Sequence, residues 1–188
     1  MNAIHLKKGF SPPIAGAPSR QLRQLDLPRH VGMTPEHIPF IKPRLLVGEG
    51  DAVAIGSPLF EDKRDTRIRF LSPGGGRITR IVFGPRRIIR QIVIALDEDE
   101  RRQTVDVPPA GQLDAITRQT LVDTLLKGGM WPFIRALPFM DIASPDFVPP
   151  AIIIRLGDDE PFGPDPSVFL QERAGDFGIG VAMLKKLC

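Results

Sequence analysis

The chain has a single cysteine, Cys188, and it is the last residue. A lone thiol excludes an internal disulfide and any cysteine-held zinc or iron–sulfur centre built within the chain. Histidine is nearly as scarce, and His5, His30 and His37 are scattered without metal-ligand spacing. No apolar run approaches the ~20 residues that cross a bilayer, so no direct membrane span is expected. The opening MNAIHLKKG has no apolar signal core, and the expected compartment is the cytoplasm. Nucleotide fingerprints are also missing. Neither Gly-Lys-Ser/Thr nor a helix start follows Pro73-Gly74-Gly75-Gly76, and Gly175-x-x-Gly178-x-Gly180 has the wrong order and follows no strand. Ser11, Ser57, Ser72, Ser144 and Ser167 sit in proline-rich turns without a nucleophile elbow. No catalytic constellation emerges. The net charge of +3 is only mildly basic and gives no reason to expect a nucleic-acid partner.

Proline (20) and glycine (18), by contrast, are abundant, which favours short elements and many turns over long helices. Between Pro43 and Leu96, short β-branched runs alternate with Gly48-Glu49-Gly50-Asp51, Gly56-Ser57-Pro58, Pro73-Gly74-Gly75-Gly76 and Gly84-Pro85. Strands broken so often predict a small sandwich or flattened barrel. The spacing Val47-x-Glu49-Gly50-Asp51-x-Val53-x-x-Gly56-x-x-Leu59, with Ser72-Pro73 downstream, resembles the lipoyl/biotinyl-type barrel-sandwich hybrid. In such a fold Gly50 and Gly56 turn corners while Val53 and Leu59 point inward. A carrier domain of that type attaches its cofactor to a lysine at a hairpin tip. Here the tip reads Glu61-Asp62-Lys63-Arg64-Asp65-Thr66, and the carrier position falls nearer Asp65 than Lys63. The tip therefore reads as a solvated polar turn, with a modified Lys63 as the alternative.

Around this β-rich stretch the pattern changes. Residues 1–42 read as a strap, with Ile4-x-Leu6 as a candidate edge strand and Arg20, Arg23 and Arg29 in solvent. The β-rich unit is placed at 43–103, and its charge run 97–102 reads as a solvated strand end. A helical linker follows at 104–150, in which Leu113, Ile116, Leu121 and Leu125 predict a helix over 113–127, stopped by Gly128-Gly129. Trp131 lies in a dense apolar segment; core packing is its first expected role and a docking anchor its second. In 151–188 the apolar run 151–156 predicts a strand covered on both faces. Asp165-Pro166 predicts a helix N-cap and first position, and a helix is expected over 176–187 with Phe177, Val181, Leu184 and Leu187 on one side. The class is α+β: a barrel-sandwich hybrid followed by the start of a Rossmann-like α/β unit. One parallel-type strand cannot make a sheet, so the expectation is either a fragment or a unit completed by another polypeptide of a complex.

Several segments together resemble the family of the A subunits of sodium-translocating NADH:quinone reductases, and more distantly the C subunits of a related electron-transfer complex. They are Leu6-Lys7-Lys8-Gly9, Pro13-Ile14-Ala15-Gly16-Ala17-Pro18, His30-Val31-Gly32-Met33, Val47-Gly48-Glu49-Gly50-Asp51, Gly56-Ser57-Pro58-Leu59-Phe60-Glu61-Asp62-Lys63, 87–94 and, beyond the barrel, Gly129-Met130-Trp131, Arg135 and Pro138-Phe139. The resemblance implies a peripheral, cofactor-free subunit on the cytoplasmic face of the bacterial inner membrane. It implies a complex carrying flavins, an iron–sulfur centre, NADH and ubiquinone, and driving sodium export. The partners implied are the other subunits, chiefly the membrane subunit with the quinone site. Two features depart from the family: its chains run well past this one, and Ser72-Pro73-Gly74-Gly75-Gly76 alters the usual hairpin loop.

Interface candidates follow from the residues. Arg86, Arg87 and Arg90, with Trp131, are the arginine and aromatic types that concentrate interface energy. Their plain alternative is a solvated basic strand face. For the whole chain, the alternatives to the subunit role are a stand-alone or truncated protein-binding adaptor and a lipoyl/biotinyl-type carrier module.

Overall fold

A computed structural model describes residues 13–107, 115–157 and 162–188. Seven strands form the N-terminal half: β1 His30–Met33, β2 Pro43–Leu45, β3 Ala52–Val53, β4 Pro58–Asp62, β5 Asp65–Leu71, β6 Gly76–Phe83 and β7 Ile89–Leu96. They make two antiparallel sheets, one ordered β1-β7-β6-β3 and the other β2-β4-β5. The flattened barrel read from the turn spacing is present, and its sheet extends upstream of Pro43 to take in β1.

The core lies between the sheets. Val53 and Leu59 point inward as expected, joined by Phe60, Phe70, Ile78, Ile92 and Ile94. The Phe60 and Phe70 rings stack with centroids 4.5 Å apart. Gly50 and Gly56 turn the corners at φ +91° and +88°, a region that costs a side chain strain. At the first corner Glu49 Oε1 accepts the Ile81 N–H at 2.7 Å, just past the register shift between Ile78 and Arg80. The bulge therefore keeps its backbone donor satisfied.

The Ser72-Pro73-Gly74-Gly75-Gly76 loop is glycine-rich for steric reasons. A Cβ on Gly76 would fall within the carbonyl oxygen of Ala95, and one on Gly75 would lie 3.0 Å from Arg101 O. The 97–102 charge run is only partly the solvated strand end expected. Asp97 to Asp99 are exposed, but Glu100 folds back and accepts the Gly75 N–H at 2.7 Å. An unpaired amide in a crowded loop recruits the nearest carboxylate.

Beyond the barrel, α1 Arg118–Lys127 starts later than the apolar spacing predicted. The Thr117 hydroxyl accepts the Thr120 N–H and caps it there, leaving Ile116 ahead of the helix. Leu113 lies outside the described residues, as does Ile4-x-Leu6. Gly129, at φ +66°, follows the helix as expected. A short hairpin comes next, β8 Arg135–Ala136 with β9 Asp141–Ile142. Then come α2 Pro166–Leu170, capped by Asp165 as predicted, and α3 Ala174–Leu184. Phe177, Val181 and Leu184 are half-buried, and Leu187, just past α3, is buried against the core. Arg118 draws these parts together by donating to Leu187 O, Pro145 O and Phe147 O at 2.7–3.2 Å.

The strand expected at 151–156 is not there: the run makes no ladder, with Ile153 and Leu156 exposed. Apolar side chains make a strand only when a neighbouring backbone offers its hydrogen bonds, and none of the described residues does so. The fold is mixed α+β.

Gly76→Ala should destabilise the chain by more than about 3 kcal/mol, because the backbone of β7 must move to admit a methyl group. Urea denaturation checks this; a variant within about 1 kcal/mol of the parent, the range of ordinary surface substitutions, would show that the β6–β7 ladder yields there.

Candidate interaction surfaces

The tip between β4 and β5 is built from two copies of Asp-x-Arg, namely Asp62-Lys63-Arg64 and Asp65-Thr66-Arg67. In each copy the aspartate accepts the backbone N–H of its own arginine at 3.0 Å. Each carboxylate also pairs with that arginine's guanidinium, Arg64 with Asp62 at 2.7 Å and Arg67 with Asp65 at 2.6 Å. The far edge of each guanidinium reaches the segment after β8. Arg64 meets Asp141 at 3.0 Å, and Arg67 meets Asp146 at 2.8 Å. Two parallel carboxylate–arginine–carboxylate clamps thus fasten the hairpin of the barrel to the segment 141–146.

This arrangement corrects the reading of the tip as a solvated turn. Glu61 and Asp62 are buried, with 2% and 1% of their surface exposed. Glu61 is bonded by Arg44 and faces Arg69 at 3.7 Å. Carboxylates leave water only with cations beside them, and here arginines of the neighbouring strands and of the turn supply them. Burial pushes the Asp62 carboxyl up, but Arg64 and the backbone N–H groups of Arg64 and Lys42 outweigh it and hold the group below its ordinary value. Arg67 holds Asp65 low against a smaller push from burial, and Arg64 does the same for Asp141. Lys63 itself is exposed in the two-residue turn, with its backbone N–H on Lys42 O at 2.9 Å.

The four interface candidates do not come together. Trp131 is 2% exposed, its indole N–H donating to Ala143 O at 2.7 Å, which is the packing role expected first. Arg86, Arg87 and Arg90 lie exposed around the tip of the β6–β7 hairpin. The Arg87 guanidinium sits over the Phe83 ring at 5.6 Å, and Arg90 pairs with Glu36 at 3.3 Å. Around Trp131 the exposed surface is apolar instead. Leu137, Phe139 and Met140 stand out of the β8–β9 hairpin, and Phe133 out of the 3-10 turn that precedes it. Among the described residues there is no group of three or more His, Cys, Asp or Glu side chains that could hold a metal ion.

Comparison with known families places both halves. Residues 4–97 match the NqrA N-terminal barrel-sandwich hybrid domain, and residues 116–188 match the NqrA second alpha/beta domain. The chain belongs to the NqrA family. It is 34% identical over 186 residues to the A subunit of the Na(+)-translocating NADH-quinone reductase of Serratia proteamaculans (strain 568). The corresponding proteins of Pseudomonas aeruginosa (strain UCBPP-PA14) and Yersinia pseudotuberculosis are 32% and 33% identical over 184 and 188 residues. In each case the alignment covers 98% of this chain and 41% of the relative, so the chain spans about two fifths of the length of these relatives. The NqrA resemblance expected from the sequence is thereby established.

The Asp-x-Arg clamps were missed in the sequence, although the repeat itself was a signal for them. Arg64→Ala should cost about 3 kcal/mol, since it leaves the buried Asp62 carboxylate without its cation. Arg67→Ala, in a more exposed clamp, should cost about 1 kcal/mol or less. Because the folded chain holds Asp62, Asp65 and Asp141 below their unfolded values, it binds fewer protons there than the unfolded chain. Their contribution is complete above the unfolded value of about 3.9 and declines as pH falls through the depressed range. Urea midpoints measured from neutral pH down into the acid range should show that decline in the parent and a shallower one in Arg64→Ala. Equal slopes would detach the clamp from acid stability.

Proposed function

We propose that this chain is a peripheral, cofactor-free part of a membrane-bound sodium-translocating NADH:ubiquinone oxidoreductase. It supports electron transfer to quinone and sodium export from the cytoplasmic face of the inner membrane. The observation that carries this reading is the similarity to NqrA proteins along 98% of the chain, through both matched domains and in order. NADH, flavins, the iron–sulfur centre and ubiquinone belong to the other subunits, of which the quinone-site membrane subunit is the chief partner. No helix among the described residues is long and apolar enough to cross a membrane, which suits attachment through other subunits.

The carrier alternative draws on one observation, the exposure of Lys63 at a hairpin tip. A swinging arm needs a tip that stands clear, whereas both residues flanking Lys63 are held in a clamp that reaches Asp141. Intact mass decides between them, because a lipoyl or biotinyl adduct on Lys63 would appear directly.

A native pull-down of the chain from its own membranes should recover a flavin-containing complex that oxidises NADH. Recovery of a lone 20.7 kDa protein without flavin would replace the subunit reading with the stand-alone adaptor. Charge reversal at Arg87 and Arg90 should lower the yield of complex, and unchanged yield would remove these arginines from the docking surface.

A further inference from the structure

The β6–β7 hairpin, residues 76–96, contains five arginines and no acidic side chain. The whole chain has only three more cations than acids, 25 against 22, so outside the hairpin 20 cations face 22 acids. The basic character of the protein is therefore concentrated in this one element. On and around the β4–β5 hairpin arginines are matched: Arg44, Arg64, Arg67 and Arg69 each lie against a carboxylate. In the β6–β7 hairpin, among the described residues, only Arg90 does so, through Glu36.

The tip is also built against local preference. Arg86 and Arg87 occupy consecutive left-handed positions, at φ +54° and +57°. They are the central residues of a turn closed by Ile88 N–H on Pro85 O at 3.2 Å. A hairpin turn with positive φ at both central residues favours Asn-Gly, and a long side chain at either position is strained. Strained backbone held at an exposed tip points to a role for the side chains themselves. Their setting is apolar as well as cationic. Phe83 and Ile88 flank the turn with 44% and 51% of their surface exposed, and the Arg87 guanidinium rests on the Phe83 ring.

We propose that this tip docks on an anionic phospholipid surface, with Arg86 and Arg87 at the phosphate level and Phe83 and Ile88 entering the acyl boundary. The inference goes beyond the assignment to the reductase and does not depend on it. A convex tip carrying both kinds of group requires a partner that is anionic outside and apolar immediately beneath. A bilayer surface has that layering everywhere, whereas a protein would need an apolar pocket rimmed with acids. Guanidinium groups suit phosphate oxygens through paired N–H donors, and their stems can lie along apolar surface.

The test uses the whole chain with vesicles of phosphatidylcholine containing phosphatidylglycerol, and with phosphatidylcholine alone, in a sedimentation assay. Binding to the phosphatidylglycerol vesicles only, weakening as salt rises from about 0.05 to 0.5 M, is expected. Arg86→Asn with Arg87→Gly removes two charges while relieving the left-handed strain. This variant should melt no lower than the parent and bind about 30-fold more weakly. Absence of binding by the parent, salt-insensitive binding, or equal binding by the well-folded double variant overturns the proposal. If the double variant fails to fold, the salt response of the parent decides. Loss of complex assembly in the variant without any vesicle binding by the parent also overturns it, in favour of an acidic protein groove.

Discussion

A carboxylate withdrawn from water must keep a cation beside it, and much of the arrangement between the two halves follows from meeting that need at Asp62. The side chain is buried at the end of β4, where the strand must turn. Arg64, two residues on, supplies both a backbone N–H and the charge, which fixes the turn in one conformation. A guanidinium held rigidly in this way has a second edge free, and Asp141 occupies it. The hairpin that closes the barrel and the contact that joins the barrel to the next unit are thus one connected set of ion pairs. Arg67, on β5, repeats the device with Asp146 in a more exposed setting where it contributes less.

The barrel was legible because its information is local. Gly50 and Gly56 mark corners by their own conformational freedom, and the spacing from Val53 to Leu59 gives the inward face directly. The cap at Asp165-Pro166 was equally local. The start of α1 depended on whether the Thr117 hydroxyl or the apolar spacing of Leu113 and Ile116 governed the boundary, and the hydroxyl won because it satisfies a backbone donor. The run 151–156 failed as a strand for a different reason. A strand is a relation between two backbones, and an apolar sequence supplies only one of them.

Side-chain partnerships across long separations were the least legible part. Asp-x-Arg at 62–64 and at 65–67 looks like ordinary turn polarity until residues 77 and 79 positions away are brought alongside. Trp131 illustrates the same limit. Its type is compatible with a core or an interface, and only the Ala143 carbonyl, twelve residues on, shows where the indole N–H goes. Arg86, Arg87 and Arg90 stayed together because they lie in, or directly after, one short turn.

The two hairpins of the barrel also divide two kinds of arginine between them. On β4–β5 the guanidinium groups are enclosed by carboxylates of this chain, so their charge is spent on fixing internal geometry. On β6–β7 most are left without a carboxylate, on a turn whose backbone would suit smaller residues better. Such a separation has a physical consequence: the first hairpin presents little net field to a partner, while the second carries five positive charges against a net excess of three in the whole chain. A partner with negative charge is therefore steered toward the β6–β7 hairpin rather than toward the clamp that holds the two halves together.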